Sequence, residues 1–382
     1  MKFDFDEVIN RFDTNSLKYS VKKGVLPMWV ADMDFKIAPQ ILKAMQNKLN
    51  TGIFGYENLS DELFESVLLW WKNEHKLSLK KEELIFCKGV VPALASMIRA
   101  LSKKGDFVLI QAPVYGVFYN IIRDNERKVL ENPLKFDGKG YEIDFLDLEK
   151  KLARKKTTLM ILCSPHNPIG KIWSKDELSK IASLCEKHGV LLISDEIHCD
   201  LVQKPFFSLL SVYEKGIVAV SPSKTFNLAS IHSAFVFCKE KELNERLRKS
   251  FNKDEICEAG IFSQSATIAA FKESKEWLNV LKAYIKENKE FAINFINENS
   301  KLKALKSEAT YLLWVDCKAL LKKGESADKF CDFLYKKGLF VSKGSSFGSG
   351  GESFLRLNLA LPKARLEEGL KILIEAAAKF KA

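Results

Sequence analysis

Between about residue 84 and residue 238 the chain alternates short apolar, β-branched runs with segments of helical period, and this alternation limits the fold more than any other feature. The strand runs are FVLIQ (107–111), TLMILC (158–163), VLLIS (190–194), IVAVS (217–221) and SAFVFC (233–238). Amphipathic segments such as VPALASMIRALSKKG and SKDELSKIASLCEKHG lie between them. The second predicts a helix that starts at Ser174 as N-cap, closes a capping box with Glu177 and stops at Gly189. Strands spaced by helices read as βαβ units, and near-continuous apolar runs read as strands covered on both faces. The expectation is an open, mostly parallel α/β sheet with helices on both faces.

Past residue 270 the texture changes. SKEWLNVLKAYIKENKEFAINFINEN predicts one long charged helix, followed by TYLLWVD, a helix around Ala327 to Lys336, LFVSK, FLRLNL and a final helix. That pattern describes a smaller α+β module. The chain is also too long for a single compact core, at 382 residues. We expect a large domain over 45–280 and a small one made of 1–44 with 281–382. In the first stretch Pro27, Pro39 and several aromatics suggest an extended arm.

Charge and cysteine usage narrow the function classes. There are 60 Lys and Arg against 49 Asp and Glu, a net charge of +11, with acids interspersed among lysine pairs such as Lys22-Lys23, Lys150-Lys151 and Lys336-Lys337. A nucleic-acid site gathers such charge on one face, so a solvated lysine-rich surface is the expected meaning and no nucleic-acid partner is expected. No apolar run approaches the roughly 18 residues of a membrane span, and MKFDFDEVINRF lacks the pattern of a signal peptide. The eight cysteines form no C-x-x-C pair, which fits a reducing cytoplasm and argues against a metal site.

Ligands of open α/β sheets bind beyond the carboxyl ends of the strands. Three strand ends here are unusually polar: TLMILC runs into Ser164-Pro165-His166-Asn167-Pro168-Ile169-Gly170, VLLIS into Asp195-Glu196-Ile197-His198, and IVAVS into Pro222-Ser223-Lys224. Each residue has a plainer reading, as a turn Asn, a capping Asp or a surface Lys. Their convergence on one crevice suggests pyridoxal 5′-phosphate. A lysine that forms a Schiff base with its aldehyde needs an acid at the ring nitrogen, because a protonated ring accepts electrons from a carbanion. Lys224 and Asp195 fill these roles, Asn167 can donate to the phenolate oxygen, and His198 can assist it. An ordinary lysine pKa of about 10.4 must fall before Lys224 can act as a base. For the phosphate, Gly89 permits close approach and Pro92 suits a first helical turn, leaving the backbone N–H groups of residues such as Val90 and Val91 free for an anion. Ser221 and Ser223 can add hydroxyl donors, and Tyr115 can stack on the ring.

SPHNPIG, SDEIH and SPSKTFN resemble, in order and spacing, the signature segments of the fold-type I, class I/II aminotransferase superfamily. PMWVADMDF (27–35), FGYENL (54–59), KGVVPAL, DEIHCDL and RLNLALPKARLEEG (356–369) are similar to the MalY/PatB-type cystathionine β-lyases. The resemblance implies the pyridoxal-phosphate transferase fold of type I, with a large mostly parallel-sheet domain and a smaller α+β domain. It implies that Lys224 is the Schiff-base lysine and proton shuttle, with Asp195 at the pyridine nitrogen and Asn167 and His198 at the phenolic oxygen. Tyr56 would reach the phosphate of the neighbouring subunit of a homodimer, and Arg356 would fork the substrate α-carboxylate. Trp29, Asp32 and Asn167 would border the substrate. His232 stands where many aminotransferases carry a phosphate-binding arginine, and Ile169 replaces the usual threonine.

The implied activity is β-elimination of L-cystathionine or other cysteine S-conjugates to thiol, pyruvate and ammonia. An aminotransferase shares every step up to proton abstraction and is the rival enzyme class. A basic nucleic-acid-associated protein is the remote alternative. Gly344 to Gly351 leads into a strand, so it reads as an active-site wall and not as a dinucleotide loop.

Overall fold

A computed structural model describes residues 3–381. The central sheet contains β1 (Leu84–Cys87), β2 (Phe107–Ile110), β3 (Lys128–Glu131), β4 (Thr157–Cys163), β5 (Leu191–Asp195), β6 (Ile217–Val220) and β7 (Ala234–Cys238). Their spatial order is β1-β7-β6-β5-β4-β2-β3. Only β7 runs against its neighbours, pairing antiparallel with both β1 and β6. The five predicted runs are all present. Their side chains are buried on both faces: Leu159 and Ile161 pack into one core, Met160 and Leu162 into the other. Strands that need two apolar faces can only lie between helical layers.

The helices that matter for the site are α1 (Pro39–Leu49), α2 (Asp61–Glu74), α3 (Val90–Leu101), α4 (Val117–Asp124), α5 (Lys175–Lys187), α6 (Pro222–Thr225), α7 (Ser263–Glu273), α8 (Lys275–Asn299), α9 (Asp328–Lys336) and α10 (Lys363–Lys379). α5 starts as predicted, with Ser174 Oγ accepting from Glu177 N at 3.1 Å and Glu177 Oε2 accepting from Ser174 N at 2.8 Å. Trp70 and Trp71 are buried on α2. Among the described residues no helix is long and apolar enough to cross a membrane.

A second, antiparallel sheet is built from β8 (Lys303–Ala304), β9 (Leu312–Asp316), β10 (Ser342–Lys343) and β11 (Phe354–Asn358), in the order β8-β9-β11-β10. Leu355 and Leu357 of β11 enter a separate core with α8, α9 and α10. With a side-chain period of two, Arg356 and Asn358 must face the other way, toward the large sheet. This alternation aims Arg356 at the site.

Two segments depart from expectation. LFVSK is not one strand: Leu339–Phe340 pairs in parallel with Leu26–Pro27, and Ser342–Lys343 pairs with β11. One short run thus ties the N-terminal segment to the second sheet. The first 44 residues are also not wholly an extended arm, because Pro39 opens helix α1, where its fixed φ and missing N–H suit the first turn. Leu26 and Met28 join the smaller core, whereas Phe5, Met33 and Phe35 pack into the larger one.

Candidate active site

Register brings the polar strand ends together. Cys163 stands opposite Asp195 across β4 and β5, and Asp195 opposite Ala219 across β5 and β6. Ser164 N donates to Asp195 O at 2.9 Å, and Glu196 N to Ala219 O at 2.8 Å. The chain leaving this ladder carries Asn167, Asp195 and Lys224 to one cavity of about 240 Å³, which His198, Tyr115, Gly89, Val90, Val91, Ser221, Ser223 and His232 also line.

Lys224 sits on the single turn α6, and its Nζ donates to Ala31 O at 2.7 Å. Burial lowers its pKa to about 8; the Arg356 charge acts in the same direction, while Asp32 and Asp195 oppose it. An amine poised this way can hold or release a proton near neutral pH. Ser221 caps the turn, accepting from Ser223 N at 3.1 Å and donating to Ser233 O at 2.6 Å. Ser221 lines the cavity, and in this arrangement its hydroxyl proton goes to the Ser233 carbonyl. Ser223 Oγ has no partner among the described residues.

Asp195 is buried, and Ile197 N, at 3.2 Å from Oδ1, is the one donor that reaches it among the described residues. Burial raises its pKa to about 7, against the pull of the Ile197 amide and the Lys224 charge. A buried carboxylate with an open oxygen is costly unless a donor meets it, and a protonated ring nitrogen in the cavity would be that donor. Asn167 Oδ1 accepts from Arg356 Nη1 at 3.0 Å, which leaves its Nδ2 free to donate. His198 is buried with Nδ1 unpartnered. Burial, reinforced by the Lys224, Arg356 and Lys289 cations, lowers its pKa to about 3, so it stands as a neutral imidazole with one N–H to give.

The opposite end of the cavity is the start of α3. No side chain caps this helix, and the N–H groups of Val90 and Val91 have no acceptor among the described residues. A Cβ at Gly89 would lie 3.3 Å from Pro92 Cδ, so a larger residue would crowd the turn. Open donors at a helix N-terminus suit a phosphate. Taken together, the orphan Asp195 oxygen, the His198 and Asn167 donors and this N-terminus fit pyridoxal phosphate.

A wider cleft of about 910 Å³ joins the cavity through Ala31, Tyr115 and Lys224, and Arg356 and Trp29 line it. Arg356 is buried without a carboxylate: Nη2 donates to Trp29 O at 2.7 Å and to Ser342 Oγ at 3.2 Å, and Nε is unpartnered. No carboxylate forms an ion pair with it among the described residues. Phe347 stacks beneath the guanidinium, 4.9 Å from ring centroid to Cζ.

Two expected residues stand apart. Asp32 lines neither space; its carboxylate is engaged by Arg11 at 2.9 Å and Lys18 at 3.6 Å. These cations occupy it here, and it acts on Lys224 through its charge. Tyr56 is fully exposed, on a loop where Ile53 and Phe54 are exposed too, and it does not reach the cavity of its own chain.

Sequence reasoning missed three contributors. Ala31 acts through its carbonyl, which accepts from Lys224 Nζ and, at 2.9 Å, from the buried Tyr311 hydroxyl. Tyr311 stood in a run read only as a strand, although a buried phenol needs an acceptor. Lys88 lines the cavity beside Gly89, and a lysine next to an uncapped helix start was the available signal.

The family model for aminotransferase class I and II matches residues 23–373. Cystathionine β-lyase PatB of Bacillus subtilis is 37% identical, with 96% of this chain and 98% of that protein covered. Protein MalY of Escherichia coli is 30% identical, with 98% of both covered. The crystal structure of cystalysin from Treponema denticola, which contains a pyridoxal 5′-phosphate cofactor, superposes over the whole of both chains with a TM-score of 0.95 at 33% identity. The matched span contains every strand end of the cavity as well as Arg356, and the relatives are matched almost from end to end: the chain belongs to the class I and II aminotransferase family, among the relatives of the PatB and MalY cystathionine β-lyases.

Proposed function

We propose that this protein is a pyridoxal-phosphate-dependent carbon–sulfur β-lyase that cleaves L-cystathionine or other cysteine S-conjugates to thiol, pyruvate and ammonia. The observation that carries the reading is the half-satisfied, buried Asp195 carboxylate facing Lys224 across a cavity with an open helix N-terminus at its far end. Lys224 Nζ would hold the cofactor's aldehyde carbon, Asp195 its ring nitrogen, and Asn167 Nδ2 with His198 its phenolic oxygen. Tyr115 would cover a ring face. The Val90 and Val91 amides, Ser223, His232 and Lys88 would share the phosphate. The bound cofactor supplies a protonated ring that accepts the electron pair left when Cα loses its proton.

The chain's own groups do the rest. Arg356 orients the α-carboxylate, with Asn167, Trp29 and Ser342 fixing its plane. Lys224 Nζ, its pKa lowered by burial, takes up the Cα proton. The Tyr311 hydroxyl and the Ala31 carbonyl set where that amine rests.

We further propose a cytoplasmic homodimer in which the exposed Tyr56 loop completes the phosphate site of a second copy. The exposed Ile53, Phe54 and Tyr56 on one loop support an interface there. Within each chain we propose two bodies, 45–280 and 1–44 with 281–382, supported by the separate core around Leu355, Leu357 and Leu370. Pyruvate release from cystathionine without a keto-acid acceptor tests the function. Strict dependence on an acceptor would instead indicate an aminotransferase.

A further inference from the structure

The cleft that leads away from Lys224 and Arg356 holds about 910 Å³ and widens toward walls that carry ionic groups of both signs. Along one wall Tyr119 and Arg123 stand four residues apart on α4, and Tyr115 lies just before its first turn. Residues so spaced share one face of a helix and advance about 6 Å, so Arg123 stands one turn beyond Tyr119 along the cleft. Arg356, Lys224 and Arg123 border this one space, which is large enough for two amino-acid moieties joined through a thioether. The segment before β11 also lines the cleft and presents Glu352.

These two charges differ from their neighbours. Glu131, at the back of the cleft, is already occupied by the hydroxyls of Tyr119 and Ser349. Arg123 lies over the Tyr119 ring, 5.5 Å from its centroid, and forms no ion pair among the described residues. Glu352 likewise has no cationic partner among them; only its backbone carbonyl is used, accepting from Ala327 N at 2.7 Å. Both groups act on the same hydroxyl. Burial and then Glu131 hold Tyr119 protonated; of the farther charges Arg123 opposes this and Glu352 reinforces it.

We infer that Arg123 and Glu352 form a subsite for the far end of the substrate, which selects S-substituents carrying a second α-amino-acid head. Arg123 takes the distal carboxylate in a two-pronged contact, and Glu352 takes the distal ammonium. The inference rests on the lyase reading and deepens it: the favoured class is cystathionine-like, in preference to cysteine bearing a small apolar group on sulfur.

The test is steady-state kinetics of the holoenzyme with L-cystathionine and with S-methyl-L-cysteine, for wild type, Arg123→Gln and Glu352→Gln. Loss of one charge-assisted contact should lower the ratio of kcat/KM for cystathionine over S-methylcysteine about tenfold in each variant. Most of the change should lie in KM for cystathionine. An unchanged ratio in both variants would overturn the subsite while leaving the lyase standing. Wild-type protein that releases pyruvate from neither compound would overturn the lyase reading and the subsite with it.

Discussion

At the scale of single residues the site is a set of incomplete partnerships. Lys224 rests on a backbone carbonyl and is largely covered, the buried Asp195 keeps an open oxygen, and the buried His198 keeps an unpartnered nitrogen. Buried polar groups in a folded protein normally find partners, so a cluster of exceptions marks the place of a ligand. Lys224→Ala should abolish the yellow absorbance of the reconstituted protein and lower the elimination rate by about 10³-fold or more, with the circular dichroism spectrum unchanged. Retained absorbance would place the attachment elsewhere.

Asp195 offers a test that does not depend on turnover. In protein freed of cofactor its pKa lies near 7, against an ordinary value of 3.8, because of burial. The folded chain then keeps a proton that the unfolded chain releases. The contribution to stability is therefore full below about pH 4 and is lost as the pH rises through about 7. Thermal melts of the cofactor-free protein should show a falling Tm across that window, and Asp195→Asn should flatten the fall. Parallel curves for the two proteins would contradict the assignment.

Lys224, Asp195 and Asn167 were legible in the sequence because each follows a run that can only be a buried strand, where a polar residue needs a reason. Arg356 could be placed on an alternating strand, but its role came from resemblance, since periodicity gives the face and not the neighbour. The partners of Asp32, Arg11 and Lys18, were not legible, because they meet it only after the N-terminal segment folds back. Ala31 was illegible, as a carbonyl has no side-chain signature.

At the scale of elements, the strand ladder places the chemistry and the helix ends tune it. α3 begins without a side-chain cap at the cavity, whereas α5, remote from it, has a complete capping box. Ser174→Ala should thus cost about 1 kcal/mol of stability, measured by denaturant unfolding, with little effect on elimination kinetics. A large kinetic effect would mean that α5 is coupled to the site. The strands were readable because burial on both faces leaves an uninterrupted apolar run. LFVSK was not, because its division between two sheets depends on the distant Leu26–Pro27 strand. Pro39 was ambiguous for a different reason, since proline suits both an extended arm and the first turn of a helix.

At the scale of the whole molecule, the N-terminal segment stitches two cores together across the site. Asn358 Nδ2 on the small sheet donates to Val30 O at 2.6 Å, while Asn227 on the large domain donates to Met33 O at 3.1 Å and Phe35 O at 3.0 Å. Residues 30–35 are therefore held from both sides, with Ala31 above Lys224. Many of the basic residues behind the +11 charge pair with acids over the surface, as Lys36 does with Glu7 and Lys275 with Glu74. The proposed homodimer makes a complementation test possible. Mixed dimers of Lys224→Ala and Tyr56→Phe chains contain one intact site each, so a one-to-one mixture should recover about a quarter of wild-type activity. No recovery would argue against a shared site.

The most direct test of the account is the fate of L-cystathionine when the holoenzyme acts with no keto acid present. Homocysteine, pyruvate and ammonia should appear in equal amounts over many turnovers and be absent with Lys224→Ala. Turnover that stops after one equivalent and resumes on addition of a keto acid would contradict the β-lyase assignment.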